Sequence, residues 1–455
     1  MFAQRREGEF RIRLTRLLKQ PGPHLVEMYL FVPHDLDLTN QALPEQQFFH
    51  TSLSHRFRLV GQPARDRASL KDPSVSLLSP YYEITFGTWF ASYKTSMDRL
   101  RPRLEKPEEL SESLERALKL TQRFAQRLRD TSSVDDDKKA RYYRNLDVYF
   151  SWYLEQWFLW AMTLDSYAEY AETDAALHQE VLGLLVQEQD WRQSRKYHSE
   201  YEGDAVKIWN RMRLYSKLID YPVLLRPRIT ELGTGTQKLV KAFSTMLVMM
   251  FFGALIFRAR DSAHELTLSL LLLIAFIYAL RDFLRDDLIR TATRRIRKGR
   301  PKWRNKLLMP YTSKPVGQQF AWLDYKRLSE LPELIRENRG KWYISEERQV
   351  VCYRAVLNLD PAIVEQDQIQ ENLVLDCHAL CEMINDASDR LYSYEQFPPQ
   401  PGDVQVSTIE KHHYFNLLVF HRGPDEDESK AQRWRLTLSG HGVVACDAQK
   451  MSRKA

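Results

Sequence analysis

The sequence predicts a membrane protein of α+β class, in which a two-helix transmembrane hairpin joins a mainly helical N-terminal region to a C-terminal α+β domain. Two uncharged apolar runs, Ala242–Phe257 and Leu266–Leu280, predict the hairpin. A three-and-four spacing of apolar residues predicts the helical region, and β-rich runs near the end of the chain predict the α+β domain. A short β-hairpin is expected at the start of the N-terminal region.

We expect five segments along the 455 residues, with boundaries at changes of composition. They are a β-hairpin plus helix (1–60), a helical domain (61–232), the transmembrane hairpin (239–284, with spans at about 239–257 and 265–283), a basic juxtamembrane linker (285–318) and a C-terminal cytoplasmic α+β domain (319–455).

Both apolar runs are short for a bilayer, whose core needs about 20 apolar residues with about 17 as the lower limit. Flanking residues extend the first run backwards to Leu239 and the second forwards to Leu284, past Arg281 and Asp282. The runs are apolar on every face, whereas a helix at the surface of a soluble core carries an apolar stripe. The pattern therefore favours spanning helices over a buried pair.

A basic stretch follows the second run and sets the expected orientation. Positive charge marks the cytoplasmic side, so both termini are expected in the cytoplasm, with a multi-pass location in the cytoplasmic or inner membrane. A topological anchor is the favoured interpretation, binding of anionic lipid headgroups is the second, and nucleic-acid contact with stacking on Trp303 is disfavoured. The basic residues are Arg285, Arg290, Arg294, Arg295, Arg297, Lys298, Arg300, Lys302, Arg304 and Lys306.

The N-terminal region begins with two predicted strands within residues 9–32, and residues 45–220 read as helical. Its clearest feature is an aromatic stripe at helical spacing, which favours core packing over a ligand pocket or the seam of an oligomer. The stripe consists of Tyr143, Leu146, Phe150, Tyr153, Trp157, Trp160, Leu164, Tyr167 and Ala171.

The C-terminal part reads as helices alternating with strands. We expect helices at residues 320–338 and 366–391, a β segment at 341–357, and β runs at 404–409, 414–421 and 434–446. Strands grouped around one long amphipathic helix are typical of an α+β domain.

Motifs with defined chemistry are missing from the sequence at their required spacings. Gly233–Lys238 lacks the spacing of a phosphate-binding loop, and no GxSxG, HExxH or GxGxxG pattern occurs. Cys377 and Cys381 are weak candidates for metal ligands because a zinc site needs four, so two buried small residues are the favoured interpretation. No cofactor and no catalytic residue is predicted.

These observations favour a two-pass, membrane-tethered cytoplasmic protein that interacts with or regulates partners and is not an enzyme. Expected partners are the bilayer with its anionic headgroups, soluble proteins or further copies of the chain. One alternative is a membrane-anchored enzyme whose site is built from dispersed residues of the C-terminal domain. A second alternative is an oligomeric channel with a hydrophobic gate.

Overall fold

The computed structural model describes residues 2–449 apart from 37, 40, 61–81, 131–136, 168–174, 198–200, 262–267, 298, 311–312, 340–346, 362–367, 385–388, 395–403 and 427. The described strands form an eight-stranded sheet, a four-stranded sheet and a separate two-stranded ribbon. The longer helices lie in two insertions between strands, and the short helices lie elsewhere in the chain.

The strands differ in length from five to 13 residues. They are β1 (Ala3–Glu7), β2 (Arg11–Leu18), β3 (Gly22–Pro33), β4 (Leu53–Val60), β5 (Arg226–Glu231), β6 (Trp303–Leu308), β7 (Pro315–Arg327), β8 (Glu347–Leu359), β9 (Gln368–Asp376), β10 (Asp389–Tyr394), β11 (Val404–Ile409), β12 (His413–Arg422), β13 (Lys430–Ser439) and β14 (Gly442–Gln449).

The α-helices are numbered here in chain order. They are α1 (Glu45–Thr51), α2 (Tyr82–Leu104), α3 (Pro107–Asp130), α4 (Asp137–Met162), α5 (Ala175–Ser194), α6 (Ala205–Asp220), α7 (Thr234–Asp261), α8 (Leu268–Arg297), α9 (Glu333–Asn338) and α10 (His378–Glu382).

Two antiparallel sheets enclose the main apolar core. The large sheet has the order β14-β13-β12-β3-β8-β7-β6-β5 and the small sheet has the order β1-β2-β9-β4. Burial alternates along β2 and β3, so every second side chain of each strand points into the core. Ile12 and Leu14 of the small sheet share this core with Met28, Leu417 and Leu436 of the large sheet.

The sheets combine strands from distant parts of the sequence. Strand β3 lies between β12 and β8, and β9 lies between β2 and β4. The segment predicted as a basic linker contains the end of α8, all of β6 and the start of β7. The N-terminal and C-terminal parts of the chain are therefore joined by backbone hydrogen bonds between their strands.

The first insertion, between β4 and β5, is a bundle of five described helices, α2 to α6. The described part of the aromatic stripe, most of it on α4, lies in the core of this bundle, where Phe150 and Trp157 are fully buried. The prediction of core packing is confirmed for these residues, and Ala171 lies outside the described residues. Strand β4 was not predicted from the sequence, because it lies inside the stretch 45–220 that was predicted to be helical.

The second insertion, between β5 and β6, contains α7 and α8, and here the prediction of a two-helix transmembrane hairpin is wrong. Among the described residues, one segment, Thr234–Arg258, is long and apolar enough to cross a membrane. Helix α8 begins at Leu268 and meets Arg281 after an apolar stretch that rises only about 20 Å, against about 30 Å of bilayer core. The α+β class holds, but the two-helix transmembrane hairpin does not.

Two predicted C-terminal helices are also wrong. Residues 320–338 form the end of β7, a 3-10 turn and the short α9. Residues 366–391 contain β9, α10 and the start of β10. Buried Glu371 interrupts the apolar alternation of β9 and so concealed its period of two.

The remaining β predictions are confirmed. Strands β2 and β3 account for the predicted pair within residues 9–32, and β8 covers most of the β segment at 341–357. The three closing runs correspond to β11, β12 and the pair β13–β14.

Candidate membrane-contact site

Helix α7 exposes apolar side chains over most of its circumference. Only 17% of its most apolar window is buried in the structure, whereas the core helix of a soluble protein is mostly buried. At 100° per residue the exposed positions cover about two thirds of the helix surface. They are Leu239, Phe243, Met246, Leu247, Met249, Met250, Phe251, Leu255 and Phe257.

A narrow stripe of α7 faces α8. Ser244, Val248 and Phe252, spaced four residues apart, are buried, and Ile277 of α8 packs against the last two. On α8, Leu272 and Phe276 remain exposed and extend the apolar surface of α7. We call the exposed apolar residues of α7 together with Leu272 and Phe276 the apolar helix surface.

Helices α7 and α8 are connected to the large sheet through two neighbouring strands. Strand β5 leads into α7 and β6 follows α8, and these strands pair antiparallel from Arg226 opposite Leu308 to Glu231 opposite Trp303. The insertion therefore leaves the sandwich and re-enters it at the same end of one strand pair. Strands β5 and β6 therefore lie on the same side of any bilayer that the helices contact.

The predicted basic patch is divided between α8 and the sheet. Arg285 is half-buried and Arg295 is exposed on α8, and Arg300 is exposed beyond its end. Arg290, Arg294 and Arg297 lie within α8, whereas Lys298 lies outside the described residues.

Lys302 forms ion pairs within the protein and is not part of an exposed basic surface. Its Nζ atom lies 2.6 Å from Oε2 of Glu45 and 2.8 Å from Oδ1 of Asp324. Trp303 is buried and stacks on Phe49 with ring centroids 3.9 Å apart, so it is not available to stack on a nucleic-acid base. Arg304 is held by Thr230, with Nε 3.4 Å from its Oγ1, and Lys306 is exposed.

Cys377, which precedes α10, and Cys381, near its end, are both buried. Burial raises the pKa of the Cys377 thiol well above its usual value and that of Cys381 to about 11, which opposes the thiolate form that binds metals. The part of the chain that the structure describes contains no group of three or more His, Cys, Asp or Glu side chains that could hold a metal ion.

A buried polar cluster inside the sandwich was not predicted from the sequence. His55 of β4 contacts Glu371 of β9 through Nε2 and Oε1, 2.6 Å apart, and Arg16 of β2 donates to Oε2 of the same carboxylate. Tyr353 of β8 and Gln319 of β7 approach Nδ1 of His55 at 3.0 and 2.6 Å. The signal in the sequence was Glu371 at a position where the alternation of Ile369, Leu373 and Leu375 would place an apolar residue.

This cluster carries strong electrostatic effects but has no room for a substrate. Although burial opposes ionisation, Arg16 and His55 hold the pKa of Glu371 at about 2. Burial raises the pKa of the Tyr353 hydroxyl. The side chains of His55 and Glu371 are 7% and 1% exposed, so the groups that could transfer protons contact one another and not solvent. The arrangement joins the two sheets.

An open cleft of about 400 Å³ lies on the outer face of the large sheet. Pro23 and Leu25 of β3, Arg354 and Val356 of β8, and Arg422 of β12 line it together with Gly423, Pro424 and Glu426. Glu426 is held by Lys430 and by the backbone N–H of Gly423, which lower the pKa of its carboxyl to about 2. The cleft therefore combines two arginines with one fixed carboxylate.

No family model, curated protein or solved structure matches this chain.

Proposed function

We propose that this protein is a monotopic membrane-associated protein that embeds the apolar helix surface in one leaflet of a bilayer. The main support for this proposal is that α7 exposes apolar side chains over most of its circumference. Transfer of apolar surface from water to hydrocarbon contributes about 25 cal/mol per Å², so this surface favours a lipid environment. The β-sandwich and the helical bundle remain in the aqueous phase on the side of both termini, which is the cytoplasmic side.

Three features support a bilayer as the occupant instead of a protein. A partner helix covers a stripe, whereas the exposed residues of α7 surround about two thirds of it. Lys238 and Lys241 are exposed in the first turns of α7, where long cationic side chains can reach headgroups. Arg295 and Arg300 lie at the end of α8, which adjoins the same strand pair as the start of α7, and each basic residue near an anionic surface contributes about 1 kcal/mol.

The strand pair below the helices supports the monotopic arrangement. Helix α7 is long enough to cross a bilayer, but the apolar part of α8 is too short to cross back. The strands β5 and β6 that flank the two helices are paired and so lie on the same side of the bilayer. A helix pair that enters one leaflet and leaves it on the same side is consistent with the short α8 and with the paired strands. Its backbone is hydrogen-bonded within the helices, as hydrocarbon requires.

Flotation with phosphatidylcholine vesicles tests the association. The full chain is expected to float with the vesicles, and the variant Phe243→Asp/Phe251→Asp is expected to stay in the aqueous fraction. Both phenylalanines are exposed, at 60% and 62%, so their replacement leaves the folded core intact. Val186→Asp/Leu334→Asp is the matched control, because these residues are 56% and 63% exposed away from α7. Flotation of the Phe243→Asp/Phe251→Asp variant would overturn the proposal.

Paired reporters test the arrangement. One reporter is active only in the cytoplasm and the other only outside it, and each is inserted after Ser262 or fused to the C-terminus. The cytoplasmic reporter is expected to be active at both positions. Activity of the outside reporter after Ser262 would show that the helices cross the bilayer, and would overturn the monotopic arrangement.

A further inference from the structure

A row of polar residues crosses the outer face of the large sheet. Arg228 of β5 is opposite Lys306 of β6, Lys306 is opposite Gln318 of β7, and Gln318 is opposite Asn358 of β8. Residues directly opposite in neighbouring strands share a face, so these four side chains form one line about 14 Å long. We call it the polar row.

The polar row begins with two like charges side by side. Directly opposed like charges on a sheet repel each other and destabilise the pairing. Arg228 and Lys306 are exposed, and neither forms an ion pair with any residue in the described ranges. Arg304, on the same face, is held by Thr230 and adds a third positive charge two pairs away. An anion bound here would relieve the repulsion.

The far end of the polar row joins the cleft. Asn358 is opposite Pro23, which lines the cleft, and Val356 lies two residues from Asn358 on the same face. Arg422, Arg354 and Glu426 lie at that end, and Arg354 pairs with Glu27 at 3.4 Å. The row therefore offers cations at one end, amide donors in the middle and a concave surface at the other end.

The position of the row relates it to the membrane helices. Arg228 and Lys306 belong to the strand pair that continues into α7 and from α8. They lie three pairs from the junction formed by Glu231 and Trp303, a distance of about 10 Å along the strands. A headgroup at the surface of a bilayer that holds α7 is within reach of this end of the sheet.

We propose that the polar row binds the phosphate of an anionic lipid headgroup, with Arg228 and Lys306 as its cationic ligands and Gln318 and Asn358 as donors to the remaining oxygens. This inference rests on the proposed association of α7 with the bilayer. Guanidinium and ammonium groups form short charge-assisted hydrogen bonds to phosphate oxygens. The phosphate of phosphatidylcholine attracts them less than that of phosphatidic acid, because its choline cation offsets the negative charge.

Vesicle binding of the full chain tests the inference. We expect tighter binding to phosphatidylcholine vesicles that contain phosphatidic acid than to phosphatidylcholine alone. The variant Arg228→Gln/Lys306→Gln should lose about 30-fold in affinity for the anionic vesicles, or about five-fold for each charge, and bind neutral vesicles as the wild type does. The matched control Lys207→Gln/Arg213→Gln removes the same charge from exposed positions of α6 and should bind both vesicles unchanged.

The outcomes separate this inference from the proposed function. Wild-type protein that binds neither vesicle contradicts the bilayer association itself. Equal binding to both vesicles, or an equal loss in the α6 control, overturns the polar row while leaving the association in place. Calorimetry with glycerol 3-phosphate tests whether the ligand is a soluble phosphate ester instead of a lipid. Tight binding of glycerol 3-phosphate that is lost in Arg228→Gln/Lys306→Gln would overturn the assignment to a lipid.

Discussion

The ring of His55 connects the two sheets of the sandwich, since its Nε2 atom lies 2.6 Å from Oε1 of Glu371 and its Nδ1 atom lies 3.0 Å from the hydroxyl of Tyr353. His55 and Glu371 belong to the small sheet, whereas Tyr353 belongs to the large one. If Nε2 donates to the carboxylate, Nδ1 is left as an acceptor for the hydroxyl. A single side chain thereby fixes the position of one sheet against the other.

Replacement of Glu371 by Gln is expected to destabilise the fold. The change leaves the buried Arg16 without its countercharge, and breaking a buried pair in this way costs about 3–5 kcal/mol. The free energy of unfolding, measured by urea titration in detergent, should fall by that amount. Glu382→Gln is the control, because Glu382 is 68% exposed beside His378. A loss below about 1 kcal/mol would contradict a structural role for the carboxylate.

Acid is expected to remove the same stabilisation. The pKa of Glu371 is about 2 in the folded protein and 4.5 for an ordinary glutamate, so the unfolded state binds the proton first as pH falls. Its contribution is fully present above pH 4.5 and is lost as the pH falls towards about 2. Unfolding free energies measured across this range should decline more steeply for the wild type than for Glu371→Gln. Parallel curves would contradict the lowered pKa.

Lys302→Gln should affect stability and not lipid binding. The ammonium group binds Glu45 and Asp324 at 2.6 and 2.8 Å, and hydrogen bonds to charged groups contribute about 1.5–3 kcal/mol. We therefore expect a lower free energy of unfolding with unchanged affinity for vesicles that contain phosphatidic acid. Weaker vesicle binding at unchanged stability would return Lys302 to the membrane-contacting group predicted from the sequence.

Trp157→Ala should destabilise the helical bundle. Trp157 is fully buried, and truncation of a buried aromatic residue to alanine costs about 3–5 kcal/mol. Leu159→Ala, on the same helix but 43% exposed, should cost much less. Thermal unfolding followed by circular dichroism at the helix band compares the two. Similar losses in both variants would show that the bundle core is not centred on Trp157.

Gly442→Ala should strain the β13–β14 turn. Gly442 has φ of 141°, and a Cβ atom placed there would lie 2.6 Å from the carbonyl oxygen of Glu9. A cost of about 1–3 kcal/mol is expected from the unfavourable backbone conformation. Gly183→Ala is the control, because a Cβ at this helical position meets nothing within 4 Å and alanine favours helix by about 0.5–1 kcal/mol. Equal effects in urea titrations would contradict the strain.

Local patterns in the sequence predicted much of the secondary structure. The aromatic stripe around Trp157 repeats with the period of a helix, and runs such as Val404–Ile409 have the composition of strands, so short-range spacing was sufficient. The apolar character of α7 was equally evident. Its partner α8 was not predicted correctly, because Arg281 ends the apolar stretch before it can span a bilayer.

The sequence by itself determined which segments are apolar, aromatic or basic, because these properties belong to single residues and their near neighbours. Only the tertiary structure decided that β3 lies between β8 and β12, and that Arg228 stands opposite Lys306. It also brought Glu371 to His55, 316 positions apart in the chain. Strand pairing depends on contacts between distant segments, and spacing along the chain carries no information about which distant strands will share hydrogen bonds.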